Sequence, residues 1–97
     1  MRDDTDKTLC RTPNASGTTR IPTWKFEAVR KAILDAVGAD GIAFKDLEPA
    51  VAQRLPQDVA RDLGSLGWHM TTVKLEMECA GDIHRVEGRS PQFIVRS

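Results

Sequence analysis

Apolar side chains recur at three- and four-residue steps through Trp24, Ala28, Val29, Ala32, Ile33 and Ala36, the spacing of a core-facing helix. Thr23 offers an N-cap, and Gly38 with Asp40-Gly41 offers turn chemistry after Val37. Ile42 to Phe44 is long enough only for a strand fragment. A second helix is expected from Lys45 or Asp46, with Leu47, Ala50, Val51 and Leu55 inward. Pro49 then falls in or near the first turn, where backbone amides have no helical partner to lose. Pro56 ends that helix and begins a short one through Leu63, which Gly64 to Gly67 break. A third main helix is expected from about Trp68 to Ala80, stopped by Gly81. Ile83 to Glu87 alternates as a strand, Gly88 to Pro91 forms a turn, and Gln92 to Arg96 returns.

Residues 1–22 follow a different rule. Thr12 to Pro22 is rich in Pro, Gly, Ser, Thr and Asn and has no apolar period, which predicts an extended N-terminal arm. A polar terminus is ordered only when something ties it down. The arm is therefore expected to lie across its own domain, residues 23–97, or across a neighbouring subunit. The remaining order predicts an α+β domain, mainly α, with a three-helix core, a short extra helix and a C-terminal two-stranded hairpin. That is the order of a winged helix-turn-helix with its β-wing.

Met77-Glu78, Gly81, Ile83 and Arg85 resemble the third helix and wing of bacterial winged-helix regulators of the MarR and PadR sort. Met77 stands where those proteins usually carry Leu. The Pro13-Asn14 pair, Lys25 to Arg30, and Gly67-Trp68 through Gly88-Arg-Ser-Pro-Gln92 are similar to a group of small uncharacterised bacterial winged-helix proteins. That group has no established activity to carry over, whereas the likeness to winged-helix regulators implies a DNA-binding, transcription-regulating role, with the third helix in the major groove and wing cations on phosphate. It places Thr71, Thr72 and Lys74 on the groove helix, with Arg85 and Arg89 around the wing. Winged helices also serve as protein-protein modules, so the fold alone does not choose.

Charge and the helical wheel pull against the DNA reading. Lys plus Arg number 14 and Asp plus Glu number 14 across 97 residues, so there is no general attraction to phosphate. From Trp68 onward, Lys74, Arg85, Arg89 and Arg96 are matched by Glu76, Glu78, Asp82 and Glu87. The third helix also carries two apolar stripes. Leu66, Met70, Val73, Met77 and Ala80 form the core stripe, while Trp68, Leu75 and Cys79 lie opposite, where a recognition helix should be polar. Ile21 or Leu9 of the arm, or a partner chain, would cover them. The alternative function is then a protein-interaction or dimerisation module using the Trp68, Leu75 and Cys79 face. Helix 1, through Trp24, Phe26 and Val29, or an exchanged arm would offer a further homodimer surface.

Other chemistry finds little support. Two cysteines, Cys10 and Cys79, are too few for a disulfide framework and fit a reducing compartment. With no secretory leader pattern and no long apolar run, a cytoplasmic location without membrane contact is expected. Cys79, His69 and His84 match no zinc spacing, and no nucleophile elbow or phosphate loop is present. The chain is accordingly expected to be no enzyme, with no metal and no cofactor, and its sequence suggests no small-molecule ligand.

Overall fold

The first strand, β1 (Lys7–Arg11), turns back into β2 (Thr18–Pro22). The pair is antiparallel, with Leu9 opposite Arg20 and Cys10 opposite Thr19. This computed structural model describes residues 3–13, 16–88 and 91–97. The N-terminal segment is thus a hairpin, and its extended backbone is hydrogen-bonded to itself. Alternation is hidden in the sequence because only Cys10 and Ile21 of the two strands are fully buried.

Helix α1 (Thr23–Val37) follows without a break. Thr23 is its first residue and caps nothing; its amide donates to the Asp6 carbonyl at 2.8 Å. Its hydroxyl meets the Thr8 hydroxyl at 2.8 Å. Threonine here ties helix to hairpin, a use that local sequence does not distinguish from capping. Val29, Ala32, Ile33 and Val37 are its buried face.

Strand β3 (Ile42–Ala43) leads into α2 (Phe44–Arg54). The helix starts a residue or two earlier than its sequence suggests, because the Phe44 amide bonds to the Gln92 carbonyl at 2.8 Å. Pro49 therefore sits inside the helix, where it withholds a hydrogen bond from the Lys45 carbonyl one turn back. Helix α3 (Gln57–Leu63) is short, and α4 (Leu66–Ala80) begins two residues before Trp68. The Ser65 hydroxyl accepts from the Trp68 amide at 3.2 Å, so Ser65 is the N-cap and Gly67 lies within the helix.

Strands β4 (Ile83–Arg85) and β5 (Phe93–Arg96) complete a three-stranded antiparallel sheet of order β3-β5-β4. Ile42 and Arg85 both face Ile94, and Ile83 faces Arg96. The result is an α+β fold, mainly helical, with four helices and two small antiparallel sheets among the described residues. Helix α4 is its centre, packed against α1, α2, α3, β1 and β4. Val73 and Met77 of α4 are wholly buried beside Val29 and Ile33 of α1, Leu47 and Val51 of α2, and Ile83 and Ile94 of the sheet. Cys10 and Ile21 join the same core, each 2% exposed.

Candidate interaction face on the fourth helix

At 100° per residue, Trp68, Thr71, Thr72, Leu75 and Cys79 fall within an arc of about 100° on the side of α4 away from the core. Trp68 and Thr71 are exposed, and Thr72, Leu75 and Cys79 are half-buried. Trp68 is 49% exposed and Leu9 46%, the two exposed large hydrophobic side chains among the described residues. The indole meets the His69 ring edge-on, at 4.8 Å and 84°. His69 Nδ1 stands 2.6 Å from the Ser65 carbonyl. A carbonyl only accepts, so Nδ1 carries the proton and the ring is fixed against the helix start.

Two charged borders flank this arc. On one side, Arg11 of β1 grips Glu76 with Nε at 2.9 Å and Nη2 at 2.7 Å. The Arg11 backbone amide adds a third bond to Glu76 Oε1 at 2.9 Å. Bidentate, charge-assisted geometry of this kind fixes register as well as adding attraction. Hydrogen bonding from Arg11 is the main reason that the Glu76 carboxyl is held below the usual glutamate range. The same bond raises the Arg11 guanidinium, which stays charged throughout. Burial, and then the nearby Glu76 charge, push the Cys10 thiol up to about 11. The hairpin thus lies beside the Trp68 face. Ile21 is in the core and Leu9 points to solvent, so neither supplies the expected cover.

On the other side, Lys74 departs from its expected place on a groove-reading surface. Its side chain is 5% exposed, and Nζ bonds to Glu78 Oε2 at 2.8 Å. The ammonium also stands 4.7 Å from the centre of the Phe44 ring, a cation-π contact that offsets part of its desolvation. The i,i+4 spacing to Glu78 was visible in the sequence; the ring that buries Lys74 belongs to α2 and was not. Arg85 Nε reaches Glu78 Oε1 at 3.2 Å while remaining 47% exposed. Nearer the start of α4, a Cβ placed on Gly67 would stand 3.2 Å from Glu48 Oε1, which locates that carboxylate on the same border.

Of the sequence-derived candidates, Thr71, Thr72, Trp68, Leu75 and Cys79 therefore share one face. Lys74 and Arg85 lie together on its border, and Arg89 lies outside the described residues. Trp24 and Phe26 of α1 are half-buried, and the Trp24 indole donates to Asp4 at 2.7 Å. Sequence reasoning missed the anchor between Arg11 and Glu76 and the Glu48 border. Each links residues far apart in the chain, and no local spacing announces either. Among the described residues, no three His, Cys, Asp or Glu are grouped to hold a metal ion. No helix there is long and apolar enough to cross a membrane.

No curated protein and no solved structure matches the chain. Residues 7–94 match a family of unknown function, DUF6958, from the first strand of the hairpin to the last strand of the sheet. With nearly its whole length inside that match, the chain belongs to the DUF6958 family.

Proposed function

We propose that this chain is a non-catalytic module on a winged-helix scaffold that works by protein-protein contact through the outer face of α4. The scaffold reading is supported by element order and by the β3-β5-β4 sheet. In it α2, α3 and α4 supply the helix-turn-helix region and β4-β5 the wing. One observation carries the functional choice. The helix that would enter a DNA groove presents Trp68 and Leu75, while Lys74, its one lysine or arginine, is buried and neutralised by Glu78. Phosphate affinity needs cations free to displace counterions, whereas an exposed Trp over half-buried apolar neighbours is the composition of an interface anchor.

A photo-crosslinking amino acid at Thr71, exposed on this face, tests the reading in cells. Protein adducts are expected there and not from the same probe at Gln53, exposed on α2. Nucleic-acid adducts, or none, would overturn it.

Binding of double-stranded DNA is the second reading. It is favoured by the position of β4 beside α4 and by the half-exposed Arg85 at the end of β4. Arg89 belongs to it by sequence. Anisotropy of a labelled duplex at ~20 and ~200 mM salt separates the two, because phosphate contacts give binding that weakens steeply with salt.

A further inference from the structure

We infer that the occupant of the α4 face is a second copy of this chain, bound antiparallel about a two-fold axis near Thr72. The inference rests on the interaction reading above and names the partner within it. A two-fold contact sets one patch against itself, so the patch must be self-complementary. The strip of Trp68, Thr71, Thr72, Leu75 and Cys79 carries no charge that would oppose its own copy.

The border supplies direction. Gly67 and Glu78 are eleven residues apart, which places them within about 20° of each other around the helix and ~16 Å apart along it. The Gly67 end of this border carries the Glu48 carboxylate. The Glu78 end carries Lys74, Glu78 and Arg85, two cations and one anion, with Arg85 the exposed member. Two facing helices related by an axis across them run antiparallel and keep this border on one side. Glu48 of each copy then meets Arg85 of the other, twice in one dimer. A parallel pair would put the two groups on opposite sides of the contact, out of reach.

Apolar and charged elements agree on where the axis lies. The midpoints of the Gly67–Glu78 and Trp68–Cys79 spans fall one residue apart, on either side of Val73 and next to Thr72. Each indole is thereby laid against Leu75 and Cys79 of the second copy. One helix pair with its borders buries less than the ~800 Å² per partner of a standard interface. A weak, reversible dimer is therefore expected.

Sedimentation equilibrium of the full chain from ~5 to ~500 µM should show reversible monomer and dimer. Leu75→Glu should be monomeric throughout, its fold checked by circular dichroism. Glu48→Arg and Arg85→Glu, both at exposed positions, should each weaken self-association at least tenfold. Mixing those two variants should restore dimers, because every contact again pairs opposite charges. A wild-type chain that stays monomeric, or a mixture that fails to recover, would overturn the second copy as partner. Adducts from Thr71 to another protein would then leave the interaction reading standing, and their absence would remove both.

Discussion

Cys10 and Cys79 differ in little but their surroundings, and those surroundings set their chemistry. Cys10 lies in the core under the Glu76 charge, with its thiol pushed up to about 11, so almost no thiolate forms near neutrality. Cys79 is half-buried on the outer side of α4. In the native protein a thiol reagent such as DTNB at pH ~8 should therefore titrate Cys79 alone, and both thiols after unfolding. Rapid native reaction of both would mean that the hairpin opens readily. Glu76 makes a second prediction. Its folded carboxyl titrates below its unfolded one, so the Arg11 anchor stabilises the fold at pH above the ordinary glutamate range. That contribution is lost as pH falls through the ordinary range to the lower folded value. Glu76→Gln should lower the melting temperature by about 3 °C at neutral pH, a figure reduced for the half-exposed Arg11. It should also flatten the decline of stability between about pH 6 and pH 3. An unchanged acid profile would show that other carboxylates carry it. Glu76 was legible in the sequence only as one more surface charge, because its partner lies 65 residues away.

The elements themselves were largely written in local pattern. α1, α3 and the end of α4 follow from apolar spacing, proline and glycine, since 3.6-residue periodicity and chain-breaking chemistry act within a few residues. Boundaries moved where tertiary bonds intervened, as at Phe44 and Thr23. Two glycines separate local from tertiary demands. Gly81 ends α4 with φ 86° and nothing within 4 Å of where a Cβ would stand. Gly41 has φ 80°, and there a Cβ would lie 2.6 Å from Phe93, 2.8 Å from the Ile94 carbonyl and 2.8 Å from Val95. Gly81→Ala should cost about 1 kcal/mol, the left-handed penalty alone. Gly41→Ala should cost ~3 kcal/mol, because β5 must also move. Urea unfolding of the two variants measures the difference, and equal costs would mean that β5 yields without strain.

For the whole molecule, the N-terminal hairpin belongs to the domain it lies on. Cys10 and Ile21 sit in the core with Val29, Met77 and Ile94, and the radius of gyration of 13.1 Å is that of a compact domain of this length. Ile21→Ala should accordingly cost about 3 kcal/mol in urea unfolding, the loss for a well-packed interior side chain. A cost below about 0.5 kcal/mol is what a loosely draped arm would give. The sequence separated residues 1–22 by composition, and composition does not register two buried side chains, Cys10 and Ile21, in a mainly polar segment. At this same scale the absence of net charge was readable from the start, whereas the burial of Lys74 was not.

Local order decided most of the secondary structure: helix spacing, the stops at Gly38, Pro56 and Gly81, and the returning strands at Ile83 and Phe93. Those signals act between residues a turn or a strand apart, so the chain displays them directly. The apolar stripe opposite the core of α4 was displayed as well, since a wheel needs only the sequence of one helix. Only the tertiary structure decided which neighbours flank that stripe. It put Phe44 over Lys74, Arg11 on Glu76 and Glu48 beside Gly67, and it left Trp68 uncovered. Such choices depend on contacts between distant segments, whose strength comes from desolvation and geometry that no local spacing encodes.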